Sequence, residues 1–187
     1  MRISKDPEVR KQEMIDTAMH LFARNGYEGT SMSDIAKEMK VVPGLCYRYF
    51  KSKEELYHTA LHNYAVESCK PMIAIMKQEF DTAEEYMKCL SERFLQIDGK
   101  EKYHEFFHRE GSEIFHSQLE YEMLVILSPY MIRLIERLNE KEQFHLKDCK
   151  ATALFLLHGQ MPIINDNTLT AKEKIAILTE LISKLFN

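Results

Sequence analysis

Apolar residues recur along this chain at helical spacing, and no run alternates apolar and polar residues as a strand does. Met14, Ala18, Leu21 and Phe22 stand at i, i+4, i+7 and i+8, one face of a helix predicted over residues 7–24. Asn25-Gly26 ends it, because glycine accepts the left-handed conformation of a helix terminus. Ser31 is a natural N-cap for a short second helix, with Asp34 three positions on as its capping-box partner and Ile35, Ala36 and Met39 facing inward. Lys40-Val41-Val42 reads as a tight connection, and Pro43 suits the first position of a third helix ending near Phe50. Ser52 and Glu55 form a second box ahead of a fourth helix, whose apolar stripe is Leu56, Ala60, Leu61 and Tyr64.

From Ala65 the segments lengthen. Pro71 predicts a break between a helix ending near Lys70 and another at 72–80, and Thr82 starts one that reaches about Ile97. Asp98-Gly99 closes it. Residues 101–116 and 118–127 read as separate helices, and Ser128-Pro129 begins another to about Glu142. Two final helices are expected over 147–164 and 170–186, parted by Asn165-Asp166-Asn167. The pattern predicts an all-α fold: a three-helix head over residues 1–53, fused through the fourth helix to a larger helical body over residues 54–187.

Composition changes this picture little and charge changes it more. With 187 residues, 45% hydrophobic and 29% charged, the chain can build a core without staples. Cys46, Cys69, Cys89 and Cys149 form no C-x-x-C pair and read as reduced thiols. Met1 to Asp6 is polar with no apolar segment of a secretory leader, and no apolar run nears the roughly 20 residues of a membrane span. A cytoplasmic protein without membrane contact is the expectation. The net charge of −4 does not itself suggest nucleic acid. Its distribution does: residues 1–53 carry +3 and residues 54–187 carry −7, so positive charge gathers in the head.

Two short helices joined by a tight turn form a helix-turn-helix, in which the second can enter the major groove of double-stranded DNA. Here that helix is Pro43–Phe50, with Gly44, Leu45, Tyr47 and Arg48 outward. Arg48 can donate two hydrogen bonds to a guanine edge, Gly44 lets backbone approach a base, and Tyr47 and Tyr49 offer hydroxyls to phosphates. Lys53 and the free amides at the start of the fourth helix favour a phosphate too.

The run from Gly26 to Leu56 resembles the DNA-binding signature of the tetracycline-repressor (TetR) family: Phe22…Gly26-Tyr27, Thr30-Ser31, Ile35-Ala36, Gly44, Tyr47-x-Tyr49-Phe50 and Lys51-Ser52-Lys53-Glu54-Glu55-Leu56. The resemblance covers about 50 residues; the rest matches only in length and helical character. It implies a homodimer with a helix-turn-helix head on each chain, a palindromic operator, a small-molecule effector in each body, dimerisation through the last two helices, and no cofactor. Carried over by position, it places Ser31, Tyr47, Tyr49 and Lys53 at phosphates and Ser33, Pro43, Gly44, Leu45 and Arg48 at bases. Val42, Pro43 and Leu45 depart from the family, which commonly has Ser, Lys and Thr there.

Two further signals lie in the body. His104-Glu105-Phe106-Phe107-His108 matches H-E-x-x-H, which on a helix puts two zinc ligands on one face beside a general base. A zinc-dependent hydrolase using His104, Glu105 and His108 is therefore an alternative reading, although five-residue motifs with two free positions arise by chance and no third ligand stands out. A helical interaction protein that never meets DNA is a third. The stretch from Tyr103 to His116 also mixes aromatic and ionisable residues as a sensor pocket would. Cys89, Phe94, Phe107, His108, Glu110, Glu113 and Tyr121 are its candidate ligand-binding residues, and the acidic body favours a cationic or neutral lipophile over an anion.

Overall fold

The helix starts expected at Ser31 and Ser52 are each met by a backbone amide bonded to that side chain, and Asp6 and Asp148 cap two further helices in the same way. The computed structural model describes residues 6–97, 113–142 and 144–186, and all regular structure among them is helical. α1 spans Pro7–Asn25, α2 Met32–Glu38, α3 Pro43–Tyr49, α4 Lys53–Met76, α5 Ala83–Ile97, α6 Glu113–Glu142, α7 Cys149–Gly159, α8 Met161–Ile164 and α9 Ala171–Phe186. No helix among the described residues is long and apolar enough to cross a membrane.

The described residues form two compact units, 6–65 with 113–119 and 66–97 with 120–142 and 144–186. The first buries Met14, Ala18 and Phe22 of α1, Ile35 and Ala36 of α2, Cys46 of α3, Phe50, and Leu56 and Ala60 of α4, each at most 2% exposed. Tyr57 anchors an aromatic group in this unit. Its ring lies 5.5 Å from Phe22, 4.8 Å from Tyr27 and 5.9 Å from Phe115 at the start of α6. Edge-to-face pairs of this kind add about 0.5–1.5 kcal/mol each beyond the area they bury. Burial pushes the Tyr57 phenol up to about 12, so it stays protonated and donates to Gln118 Oε1 at 2.6 Å.

The second unit centres on Cys69, Ile75 and Met76 of α4, Tyr86 of α5, Leu124, Leu127, Met131, Leu134, Ile135 and Leu138 of α6, and Ala153 and Leu157 of α7. Arg137 of α6 donates to Met76 O at 2.6 Å and to Glu79 at 2.9 Å, and Lys141 donates to Phe80 O at 2.9 Å and Asp81 at 3.1 Å. Arg137 thus satisfies a carbonyl that the end of α4 leaves without a helical partner, and Lys141 one in the loop that follows.

Three expected breaks are absent. α4 runs through Pro71 and α6 through Pro129, where helix ends had been expected. Each proline leaves one carbonyl four residues back without its helical donor. Those carbonyls belong to Glu67 and Val125, both at exposed positions where water can replace the donor. Burial on both sides, Cys69 with Ile75 and Leu127 with Met131, keeps each helix continuous. The division expected between 116 and 118 is likewise absent, because those residues lie within α6. Conversely, the single helix expected over 147–164 is two, α7 and α8, parted at Gln160 between Gly159 and Pro162.

Candidate nucleic-acid interface

The head forms its helix-turn-helix from strictly local signals. Ser31 accepts from the Asp34 amide at 3.2 Å while Asp34 accepts from the Ser31 amide at 2.9 Å, a complete capping box. The Ser31 hydroxyl also donates to Asp34 at 2.6 Å, and these two bonds from Ser31 hold the Asp34 carboxyl below its usual range. α2 ends in a Schellman turn: Val41 N donates to Ala36 O at 2.9 Å and Lys40 N to Lys37 O at 3.0 Å. Lys40 takes the left-handed position at φ +56°, where glycine is usual.

α3 starts less well. Val42 is its N-cap and supplies no side-chain acceptor. Val42→Ser is expected to stabilise the protein by about 0.5–1.5 kcal/mol in chemical denaturation, because a serine oxygen would take an amide now left over; an unchanged midpoint would show that the amides are already satisfied. One face of α3 is anchored by Cys46, fully buried, whose thiol is pushed up by that burial, and Phe50 follows it into the core. The opposite face is free. Pro43, Gly44 and Arg48 are exposed, Tyr47 is 54% exposed, and Leu45 and Tyr49 are half-buried at the edges. A Cβ added at Gly44 would meet nothing within 4 Å, so this backbone is open to a close approach from outside.

Ser33 is exposed on α2, and Ser31 is exposed at its start. Ser31, Tyr47, Lys51, Ser52 and Lys53 line an open cleft of about 410 Å³ together with Glu28. Cations and hydroxyls converging in this way suit a phosphate. Lys53 is already engaged in part. Its ammonium donates to Tyr27 O at 2.9 Å, lies 4.0 Å from the Tyr27 ring centroid, and approaches Glu28 at 4.0 Å. It thus braces the loop after α1, a role the sequence reading did not foresee.

That reading also missed two fixtures of the same loop. Thr30, 1% exposed, donates its hydroxyl to Leu21 O at 3.2 Å and Gly26 O at 2.9 Å, tying the end of α1 to the start of α2. Gly29 packs so tightly that a Cβ there would stand 2.3 Å from Asn25 O. The Thr30-Ser31 pair was visible as a signature; its burial was not.

The residues expected to bind a ligand are not gathered by the described structure. Phe107, His108 and Glu110, and with them His104 and Glu105, lie outside the described residues, as does the Phe94 side chain. Cys89 is half-buried against the second core, Glu113 is exposed, and Tyr121 is 65% exposed. All four cysteines are free thiols. Among the described residues no group of three or more His, Cys, Asp or Glu is placed to hold a metal.

Comparison with known proteins bears on the head and on the fold separately. Residues 14–60 match the bacterial regulatory proteins of the tetR family. YuxN of Bacillus subtilis, described as an uncharacterized HTH-type transcriptional regulator, is 46% identical over 55 residues, which cover 29% of this chain and 19% of YuxN. IcaR of Staphylococcus epidermidis, an HTH-type negative transcriptional regulator of the biofilm operon icaADBC, is 36% identical over 53 residues, covering 28% of this chain and 29% of IcaR. The match thus spans less than a third of either relative. Two crystal structures share the fold over nearly the whole chain. A transcriptional regulator from Pseudomonas aeruginosa aligns with TM-score 0.69 at 18% identity, over 97% of this chain and 92% of its own. FadR of Bacillus subtilis, in complex with stearoyl-CoA, aligns with TM-score 0.61 at 19% identity, over 94% and 97%. Residues 14–60 thus carry a head of the tetR-family type, and the chain as a whole shares its all-helical fold with these two regulators.

Proposed function

We propose that the protein is a homodimeric, ligand-responsive DNA-binding transcriptional regulator, a repressor released from a palindromic operator by a small molecule. The observation that carries this reading is the free face of α3. Pro43, Gly44, Tyr47 and Arg48 are exposed on a helix whose other side is locked by Cys46, next to a cleft lined by Lys51 and Lys53. A short helix held rigidly with one face open and basic residues at its flank meets what major-groove docking needs. Arg48 and the backbone at Gly44 then read bases with Leu45, Pro43 and Ser33, while Ser31, Tyr47, Tyr49 and Lys53 hold phosphates. IcaR, by its name a negative regulator, supports the sign of regulation, and FadR with its bound acyl-CoA supports an effector in the body. The tetR-type match of residues 14–60 is to regulatory proteins, and the chemistry needed is binding alone. Two heads in a dimer would meet half-sites about 34–36 Å apart, and an effector would act by binding more tightly to a dimer whose heads have another spacing.

The test is a mobility-shift titration on DNA flanking the protein's own gene. Arg48→Ala is expected to weaken binding to the cognate palindrome by about 1–3 kcal/mol and to relax preference at one base pair. Gly44→Ala is expected to weaken it without loss of stability. Parent-like binding by both variants at low and moderate salt would remove α3 as the reading helix.

A further inference from the structure

We infer that the second unit holds a site for a small, neutral, mostly apolar molecule carrying one hydrogen-bond acceptor, between α5, α6, α7 and α9 around Tyr86. The inference rests on reading this unit as a sensor, and it names the class of molecule sensed.

A cavity of about 30 Å³ lies in this unit, lined chiefly by Tyr86, Met87, Met131, Ile135, Gln160 and Ile182. Among the described residues no Asp, Glu, Lys, Arg or His lines it. Tyr86 is 6% exposed, and its hydroxyl has no hydrogen-bond partner among the described residues. Buried phenols nearly always find a partner, so an orphan beside a cavity asks what completes it. Burial pushes the Tyr86 pKa up, so the phenol remains a neutral donor.

The chemistry narrows the occupant. Water is the simplest candidate, but the Tyr86 hydroxyl and the Gln160 amide give it only the minimum of two polar side chains in a lining that is otherwise apolar. A charged molecule would leave water with no counter-charge in the lining. A slender apolar molecule with one carbonyl or ether oxygen loses nothing by entering and gives the phenol its acceptor. The present volume is too small for more than a few atoms, so the walls must yield. Met87 and Met131 are unbranched and adaptable, and α9, which supplies Ile182, has no buried residue of its own among those described. Entry would therefore press on α9 before it disturbed the core.

The probes are 2-heptanone, heptanoate and hexyltrimethylammonium, titrated against the full chain in thermal-shift measurements. The ketone alone is expected to raise Tm. Tyr86→Phe is expected to raise the Tm of the unliganded protein, since it removes the orphan hydroxyl, and to weaken ketone binding about tenfold. Ala83→Leu, which fills the cavity from α5, is expected to abolish the response while leaving the protein folded. The inference is overturned if the ketone leaves Tm unchanged, if the anion or the cation stabilises equally, or if both variants respond to the ketone as the parent does. Mobility shifts run in parallel separate the two readings. Operator binding without any ketone response leaves the regulator standing and removes this site, whereas ketone binding that depends on Tyr86 in a protein that retains no DNA keeps the site and removes the regulator.

Discussion

Glutamate at both Phe155 and Leu181 is expected to leave the protein monomeric in sedimentation velocity and to lower its affinity for a two-half-site DNA by two orders of magnitude or more. Phe155 of α7 is 67% exposed and Leu181 of α9 is 49% exposed. On α9, Ile175, Ile177 and Leu178 are each only half-buried. Two helices, parted only by the four-residue α8 and its loop, that leave this much apolar surface open are suited to a four-helix bundle with a second copy about a two-fold axis. A carboxylate in the middle of that bundle would be buried without a partner. Losing the dimer removes the second head from the operator, and linked binding of that kind is worth roughly a hundredfold to ten-thousandfold. Leu178, which helical periodicity makes an equally good target, is half-buried in the single chain, so glutamate there would also strain the protomer. A stable dimer in the doubly substituted protein, with parent-like operator affinity, would place the interface elsewhere.

Gly29→Ala is expected to destabilise the head by about 2–4 kcal/mol, the range of a forced backbone shift or overpacked site. The new methyl would stand 2.3 Å from a backbone oxygen of Asn25, and backbone cannot turn aside as a side-chain tip can. Thr30, the next residue, is hydrogen-bonded to both Leu21 O and Gly26 O, so the loop has little freedom to relax. Gly44→Ala is the matched control, with open space around the added carbon and a gain in helix propensity. Urea denaturation of the two variants measures the contrast. Equal midpoints would show that the loop gives way without cost.

The local signals were the most legible part of this chain. Ser31 with Asp34, Gly26 after α1 and Pro43 opening α3 act through residues three or four apart, so a one-dimensional reading finds them. The head's exposed face followed from the same periodicity. What the chain order hid was tertiary. Pro71 and Pro129 look like breaks until the burial of Cys69, Ile75, Leu127 and Met131 around them is known. Lys53 looks like a free cation until Tyr27, 26 residues earlier, is folded beneath it. Tyr86 looks like one more aromatic on a mixed helix, and only the packing of α6 and α9 around it leaves its hydroxyl alone.

The match to the tetR-family model stops at residue 60, but the first compact unit does not. It takes Phe115 and Leu119 from the start of α6 into its buried set, and Gln118 as the acceptor for Tyr57. A chimera that grafts residues 1–65 onto another helical body would carry α3 intact and leave Tyr57 without its wall and its acceptor. Modularity in this protein therefore follows the packed unit rather than the aligned segment. A transplant that keeps its shape must bring the corresponding stretch of α6, or find in its new host an aromatic and an acceptor where Phe115 and Gln118 now stand.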